Sequence, residues 1–376
     1  MTHPLAPASG SPWEAPAGQA GPPEVLFYCH HLYYLPQFFP VAGVLAEAFE
    51  ISFTISSRAT ASEAAIMQAE IARQGWGLTD EDDLKRGIFQ PDVLVVGQSR
   101  DADRLAGPDT LVVLLFHGIG VKLVYYTDTN PRVNLRFVES EYRREQCLAV
   151  NPQLPTRAVG FAKLDPLLNG ELQAEYPLPA DPGPKVLYTP TFYPGSLEIL
   201  ADLIPEWPAD WQIVIKPHQF TYTNPYYRYQ VQLLEGLARN CPNVTVLPLT
   251  NYNVLSAFGW ADVLVSEASS TIIEFTALDK PIVICDELHL RLHHRLLRAR
   301  FFRRRMDTGL LERLDFAHHA AKGVDVAHRI GQALDKPLAL SDRRREACDL
   351  LLGPTDGGAA RRIARILHDQ GFDVSR

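Results

Sequence analysis

Short apolar runs alternate with amphipathic stretches along the first half of the chain. The apolar runs are too short for buried helices and therefore predict strands. Between them, residues 41–50 and 62–73 carry apolar positions at helical spacing, so each can cover one face of a sheet. Such alternation predicts βαβ units and a mainly parallel sheet. The predicted strands cover residues 25–29, 51–55, 92–96 and 111–115.

The same alternation returns in the second half, after a stretch rich in Pro and Gly at residues 176–184 that predicts a linker. We therefore expect an α/β protein with two doubly wound, Rossmann-like domains, 24–175 and 185–355, which face each other across a cleft. Residues 1–23 predict a disordered tail, and 356–376 a helix that crosses back to the first domain. The predicted strands of the second domain cover residues 185–188, 212–215, 244–247, 262–265 and 281–285.

Composition narrows the class of protein. The 376 residues are 46% hydrophobic, enough for two domains with substantial cores. The formal charge of -8 argues against a nucleic-acid-binding protein. Five cysteines without a CxxC pair argue against a disulfide scaffold or a structural zinc site and indicate a reducing cytosol. The sequence has no apolar run of the roughly 20 residues that span a bilayer and no secretion signal, so we expect a cytoplasmic protein.

An imidazole follows the predicted strand at residues 111–115. His117 precedes Gly118, which permits close approach of the backbone to a ligand, and Lys122 lies in the same loop. Because an unperturbed imidazole titrates near neutral pH, His117 could accept a proton from an attacking hydroxyl. The alternatives are a core histidine bonded to a loop carbonyl and, for Lys122, ordinary surface charge.

The second half repeats this placement. Lys216 and His218 directly follow the predicted strand at residues 212–215. A cation and an imidazole at a strand end can neutralise phosphate oxygens, and His218 could also protonate or stabilise a departing phosphate. Alternatively, Pro217 simply ends the strand and His218 lies in solvent.

The segment 261–284 predicts a strand, a tight turn, a helix and a second strand. Ser269 and Ser270 would then open the helix, where unpaired N–H groups and the helix dipole favour a phosphate or diphosphate. Glu274 lies one turn later, roughly 6 Å along the axis, and could accept from ribose hydroxyls. Alternatively, Thr271 and Glu274 form a capping box with a structural role only. The pattern favours a nucleotide-linked donor.

In this order, the motifs resemble those of the CDP-glycerol glycerophosphotransferase family of teichoic-acid primases and polymerases. The resemblance covers about residues 25–310. It implies a GT-B fold, with the acceptor associated with the first domain and the nucleotide held mainly by the second. It also implies transfer of glycerol phosphate from CDP-glycerol without a metal or other cofactor, and release of CMP. The matching segments are 117–122, 159–165, 187–192, 215–218 and 266–270, with Glu274, Lys280 and Pro281.

The resemblance implies roles for individual residues. His117 matches the family's general base, and His218 matches its donor-phosphate histidine. Three neighbouring sites depart from the family, which shows Trp at Phe116, Thr-Pro-Leu at 119–121 and Asp-Tyr at 267–268; these changes keep the reactive groups and reshape the pocket beside them. The other matches are Thr189 and Thr191 lining the cleft, Ser269 and Ser270 as a pyrophosphate cradle, and Glu274 as the acidic residue of the following helix.

A basic segment stands out against the acidic background. Residues 291–305 hold seven arginines, which suits an interfacial helix or an anionic-polymer groove, and a solvated, salt-bridged helix is the alternative. Because the resembled family works on lipid-linked acceptors, we expect acceptor contacts there and peripheral association with the inner face of the cell membrane. His289 and His293 lack the pattern of a zinc site, so no metal is expected. The expected contact residues are Arg295, Arg298, Arg303 and Arg304.

These observations lead to one preferred function and two alternatives. We expect a transferase that moves glycerol phosphate, or a related polyol phosphate, from a CDP-linked donor to a hydroxyl of a cell-surface glycopolymer or a lipid-linked acceptor. The first alternative is a GT-B glycosyltransferase or epimerase that uses a UDP-sugar. The second is a module that binds a nucleotide or a polymer without catalysis. The sequence leaves open the transferred group, the acceptor and the choice between primase and polymerase.

Overall fold

Two parallel sheets form the framework of the protein. The structure, a computed structural model, describes residues 22–128, 130–172, 176–291, 294 and 306–369. The strands of the first sheet are β1 (Glu24–Cys29), β2 (Glu50–Ile55), β3 (Gly77–Leu78), β4 (Val93–Val96), β5 (Leu111–Leu115), β6 (Leu135–Val138) and β7 (Thr156–Ala158). They pair in parallel in the order β3-β2-β1-β4-β5-β6-β7.

The second sheet repeats the winding of the first. Its strands are β8 (Lys185–Thr189), β9 (Gln212–Ile215), β10 (Val244–Val246), β11 (Val263–Ser266), β12 (Ile282–Cys285) and β13 (His318–Ala320). They pair in parallel in the order β10-β9-β8-β11-β12-β13. In each sheet the winding reverses beside the first strand, between β1 and β4 and between β8 and β11. Ligands of doubly wound sheets bind beyond the carboxyl ends of the strands at such a point.

Helices cover both faces of each sheet, and the strand side chains are buried on both sides. Within the described part of the chain, no helix has the length and apolar character needed to cross a membrane. The helices are α1 (Leu35–Leu45), α2 (Ala61–Arg73), α3 (Glu81–Lys85), α4 (Ala102–Leu105), α5 (Val124–Thr127), α6 (Glu141–Val150), α7 (Asp165–Leu168), α8 (Leu197–Leu200), α9 (Phe220–Thr223), α10 (Arg228–Asn240), α11 (Leu255–Trp260), α12 (Ser270–Phe275), α13 (Thr308–Leu311), α14 (Val326–Asp335), α15 (Ser341–Leu351) and α16 (Ala359–His368).

The first helix begins earlier than its pattern predicts. The prediction of a helix at residues 41–50 is wrong in its bounds, because α1 spans Leu35–Leu45 and β2 already begins at Glu50. Pro36 occupies the first turn, where a missing N–H removes no intrahelical bond. Pro40 lies inside the helix and is tolerated because the apolar side of α1 is buried in the first core.

The C-terminal helix returns to the first sheet. Ile363 and Leu367 of α16 are buried in the same core as the side chains of α1. Asp165 fixes the start of α16, since its carboxylate accepts hydrogen bonds from the Ala359 and Ala360 N–H groups at 3.2 and 2.7 Å. The exact domain boundaries remain predictions, and most of the predicted tail lies outside the described residues.

The two halves also touch directly beside the cleft. Gln219, after β9, donates from its amide to the buried Glu63 carboxylate of α2 at 2.8 Å. On the other side, the Asp307 N–H donates to the Val121 carbonyl at 2.6 Å. These contacts bring the carboxyl ends of the two sheets together around one cavity.

Candidate active site

A cleft of about 820 Å³ lies between the carboxyl ends of the two sheets. Its walls are the loops after β5, β8 and β9 and the segment from the end of β11 into α12. The structure brings all nine predicted catalytic and donor-binding residues to this one cavity. They are His117, Gly118, Thr189, Thr191, Lys216, His218, Ser269, Ser270 and Glu274.

His117 enters the cleft from the first sheet. Its ring stacks on Tyr34, with centroids 4.6 Å apart and an interplanar angle of 13°, and it also contacts Tyr33 at 4.4 Å. Burial holds the pKa of His117 well below its ordinary value, the charges of Lys122 and other cleft groups act in the same direction, and the Gly97 backbone opposes the shift. The imidazole is therefore neutral at pH 7, and a neutral ring has one nitrogen that can accept a proton.

His117 also has one feature of the structural alternative, a core histidine bonded to a loop carbonyl. The Gly97 backbone does interact with the ring, as expected for a histidine bonded to a loop. The same ring nevertheless lines the cavity, and its Nδ1 is shielded from solvent without a hydrogen-bond partner in the described part of the chain. A structural contact and an unused proton acceptor thus coexist in one side chain.

His218 enters the cleft from the second sheet. The alternative that it lies in solvent is wrong, because its ring packs against Phe192 and Phe220 with centroids 4.7 and 5.0 Å away. The Phe220 N–H donates to Nδ1 at 3.1 Å, so the proton of the neutral ring resides on Nε2. Burial, followed by the charges of Lys122 and Lys216, lowers the pKa of His218 to about 3. At neutral pH, His218 is therefore an uncharged hydrogen-bond donor.

Tyr33 lies between the two histidines. Its ring centroid is 4.4 Å from that of His117 and 5.9 Å from that of His218, although the three residues follow β1, β5 and β9. A single aromatic ring thus bridges the two predicted catalytic histidines. No periodicity or motif singles out this tyrosine in the sequence.

Hydroxyl groups line the part of the cleft formed by the second half. Ser269 precedes α12, and its hydroxyl lies 2.7 Å from that of Thr271, which in turn lies 3.0 Å from that of Thr189. The loop after β5 runs close to this cluster, because a Cβ added to Gly120 would be 3.6 Å from the Ser270 nitrogen. Gly120 has a φ of +147°, so glycine suits this approach.

The capping-box alternative for Glu274 is wrong. Helix α12 begins after Ser269 without a side-chain cap, and the Glu274 carboxylate does not turn back to the helix start. Instead, Lys163 Nζ lies 2.6 Å from Glu274 Oε2. Lys163 follows β7 in the first half, so this ion pair joins the two halves at the floor of the cleft.

Glu267 was identified in the sequence only as a departure from the family pattern. The structure shows a buried carboxylate that accepts from the Ser196 N–H and hydroxyl at 2.6 and 2.5 Å and from the Thr191 N–H at 2.9 Å. Burial raises the pKa of Glu267, and these hydrogen bonds oppose the rise. Glu267 therefore ties the loop that carries Thr191 to the end of β11. Its place at the end of a buried strand, next to the serine pair, was the available signal.

Four cations line the cleft among the described residues: Lys122, Lys163, Lys216 and Arg291. Lys122 acts on both histidines, since its charge contributes to the lowered pKa of each. The predicted contact residues Arg295, Arg298, Arg303 and Arg304 lie outside the described residues. Over the described ranges, no three His, Cys, Asp or Glu side chains are grouped so that they could hold a metal ion.

Comparison with solved structures places this cleft in a known fold. The wall teichoic acid polymerase TagF matches with a TM-score of 0.64 and 14% identity, covering 92% of this chain and 88% of that chain. A putative UDP-N-acetylglucosamine 2-epimerase from Listeria monocytogenes matches with a TM-score of 0.59 and 14% identity, covering 95% of this chain and 98% of that chain. The UDP-GlcNAc 2-epimerase from Neisseria meningitidis, solved with UDP-GlcNAc bound, matches with a TM-score of 0.60 and 13% identity, covering 92% of this chain and 100% of that chain.

At this level of identity the similarity is one of fold. The protein has the GT-B fold, as predicted, with two doubly wound parallel sheets. No family model and no curated protein matches its sequence. The choice among the chemistries found on this fold must therefore come from the site itself.

Proposed function

We propose that the protein is a transferase that moves glycerol phosphate, or a related polyol phosphate, from a CDP-linked donor to an acceptor hydroxyl and releases CMP. The observation that carries the proposal is the meeting of His117 and His218, from opposite sheets, in one cleft lined by lysines. TagF, a polymerase of wall teichoic acid, shares the fold. The motif resemblance to the glycerophosphotransferases supports the same chemistry.

The proposed step uses each histidine in the state that its surroundings favour. The acceptor hydroxyl gives its proton to the neutral ring of His117 while its oxygen bonds to the β-phosphorus of the donor. The bond from that phosphorus to the oxygen bridging to the α-phosphate breaks, and CMP leaves with that oxygen. Nε2–H of His218 donates to a phosphate oxygen, and Lys216 offsets the phosphate charge.

The carboxylates of the cleft are committed to structural contacts. Among the described residues that line the cleft, the only carboxylates are Glu267 and Glu274. Glu267 holds the loop after β8, and Glu274 is paired with Lys163. His117 and His218 are therefore the groups available for proton transfer, in hydroxyl attack on a CDP-linked donor as in epimerisation of a UDP-sugar, and the product nucleotide distinguishes the two reactions.

The product nucleotide tests the proposal. The protein is incubated separately with CDP-glycerol and with UDP-GlcNAc, with and without polyol phosphate or glycan acceptors, and the nucleotides are resolved by chromatography. Release of CMP that requires an acceptor and is lost in His117→Asn would support the proposal. Release of UDP, or formation of a second UDP-sugar, would replace it with the sugar-nucleotide alternative. Binding of either donor without turnover would favour the non-catalytic alternative.

The acceptor belongs to the same proposal. We expect a hydroxyl of a cell-surface glycopolymer or of a lipid-linked precursor, reached from the cytoplasmic face of the membrane. The basic composition of residues 291–305 supports this expectation. Co-sedimentation with anionic vesicles, compared with neutral vesicles, tests it. Equal recovery with both kinds of vesicle would argue for an acceptor that is free in solution.

A further inference from the structure

One ion pair joins the first half of the protein to the donor side of the cleft. Lys163 Nζ lies 2.6 Å from Glu274 Oε2, and the two side chains are 12% and 1% exposed. Both residues line the cavity. The Lys163 backbone N–H donates to the side-chain oxygen of Gln37 at 2.8 Å, and Gln37 is itself buried in α1. Lys163 is therefore held at its backbone and at its ammonium group.

The Glu274 carboxylate has one unused oxygen. Oε2 faces Lys163, whereas Oε1 is shielded from solvent and has no hydrogen-bond partner among the described residues. A buried acceptor without a donor is unfavourable, and a carboxylate offers only acceptors when it is charged. Because Glu274 lines the cleft, a bound ligand is the natural source of the missing donor.

The position of Glu274 indicates which part of a nucleotide supplies that donor. Glu274 lies one helical turn beyond Ser270, roughly 6 Å along the axis. If the diphosphate contacts Ser270, its neighbours in a CDP-linked donor are the ribose on one side and the polyol on the other. Because the nucleotide is expected mainly in the second half, to which Glu274 belongs, we take the ribose as its partner. Phosphate groups bring no comparable donors at neutral pH, whereas the ribose brings two hydroxyls.

We infer that Lys163 is a positioning residue that makes the cleft select ribonucleotides over deoxyribonucleotides. Its ammonium group engages one oxygen of Glu274 and thereby fixes the other to accept from a ribose hydroxyl. The inference rests on the proposed function, because it takes a nucleotide-linked donor as the ligand. It adds that the first half of the protein, through Lys163, sets the recognition of a sugar bound by the second half.

Calorimetric titration with CMP, 2′-deoxy-CMP and 3′-deoxy-CMP tests the inference, with UMP and its deoxy forms in parallel. The wild-type protein should bind the ribonucleotide about tenfold more tightly than at least one deoxy form, a difference of about 1.4 kcal/mol. Lys163→Met should bring this ratio close to one, and Lys163→Arg should restore most of it. Glu274→Gln should lower the ratio as Lys163→Met does.

Lys122→Met is the matched control, because Lys122 is a second lysine on the same cleft and follows β5 rather than β7. It should weaken the ribo and deoxy forms by the same factor and leave their ratio unchanged. If Lys163→Met does not fold, the double variant Lys163→Met/Glu274→Gln removes both charges together and should bind both forms equally.

Four results would count against the inference or its premise. A folded Lys163→Met protein with the wild-type ratio would overturn the inference, as would a wild-type protein that binds CMP but distinguishes neither deoxy form. A Lys122→Met variant that changes the ratio as much as Lys163→Met would reduce the effect to cleft charge and also overturn it. If the wild-type protein binds neither CMP nor UMP, the proposed function itself fails.

Discussion

Replacement of Glu267 should detach the loop after β8 from the donor side of the cleft. This carboxylate accepts three hydrogen bonds, two from Ser196 and one from the Thr191 N–H, and it is 2% exposed. Ser196 is fully buried, so its donors are shielded from bulk water. Replacement by Ala removes both carboxylate acceptors. Glu267→Gln removes one acceptor, and Glu267→Asp keeps both but shortens the side chain by one methylene.

The expected losses of stability follow from the donors left without partners. Glu267→Ala leaves two backbone N–H groups unpaired, and each unpaired buried donor costs about 1–3 kcal/mol. The Ser196 hydroxyl can still bond to Tyr188 OH, which lies 2.7 Å away. We therefore expect the free energy of unfolding to fall by about 2–6 kcal/mol in the alanine variant and by about 1–2 kcal/mol in the glutamine and aspartate variants. At about 2–4 °C per kcal/mol, the alanine variant should melt about 10 °C lower.

Urea denaturation and thermal scans measure these losses, and CMP release measures the effect on turnover. Because a misplacement of about 1 Å can cost 10²-fold, the kcat/KM for the donor should fall at least about tenfold even in Glu267→Gln. Glu235→Gln is the control. Glu235 is exposed on α10, and its ion pair with Arg239, at 3.9 Å, is long and contributes little to stability. An alanine variant within about 0.5 kcal/mol of wild type, or one with unchanged kcat/KM, would refute this role for Glu267.

Four further predictions concern the histidines, the phosphate contact and the last helix. His117→Asn should lower kcat about 10²–10⁴-fold while the Kd for CMP, measured by calorimetry, stays within about twofold; an equal loss of binding would contradict its role as the base. Because folding lowers the pKa of both His117 and His218, only the unfolded chain binds their protons between pH 6.5 and the folded pKa values. Stability should therefore decrease as pH falls below 6.5, by up to about 2 kcal/mol per histidine at pH 5, and less where cleft water solvates the charged ring. Urea titrations of wild type and His218→Gln at pH 7 and 5 measure this loss, which should be smaller in the variant. For the same reason, the acid limb of kcat/KM should lie below pH 6.5, and a limb at or above that pH would contradict the lowered values. Ser270→Ala should raise the Kd for CMP about 10–100-fold by loss of one hydrogen bond to an anionic phosphate oxygen, and an unchanged Kd would exclude that contact. Asp165→Ala should lower the free energy of unfolding by about 1–3 kcal/mol, because two N–H groups at the start of α16 lose their acceptor. Urea titration measures this free energy, and an unchanged value would contradict the prediction.

The local pattern of the chain predicts most of the framework. The strands at residues 111–115 and 212–215 appear with their predicted bounds, and the other predicted strands differ by at most one residue at each end. The pattern missed β3, β6, β7 and β13. Three of these are two or three residues long, and β6 contains Arg136, a cation that is 0% exposed and breaks the apolar run. Periodicity records which side chains are apolar, whereas the burial of a charged strand residue depends on partners distant in sequence.

The same distinction applies to the site. His117 and His218 were identifiable because each directly follows a strong strand, and parallel strands deliver their carboxyl ends to one edge of the sheet. The partners that give these groups their properties were not identifiable. Lys163 and Glu274 are 111 residues apart, and the tautomer of His218 depends on the Phe220 N–H, which only the backbone geometry places.

The site is divided between the two halves of the protein, and neither half can complete it alone. Gln219 follows His218 directly and donates to the buried Glu63, so the loop with the second histidine is tied to the first half. Lys163 and Glu274 form a second link between the halves. A ligand that touches both halves binds their assembled arrangement, and it therefore stabilises these links by the free energy of its own binding. Conversely, loss of a link lowers the fraction of molecules with a complete cleft and weakens binding by that fraction. On the proposed function, donor affinity is thus set partly by residues that never contact the phosphate.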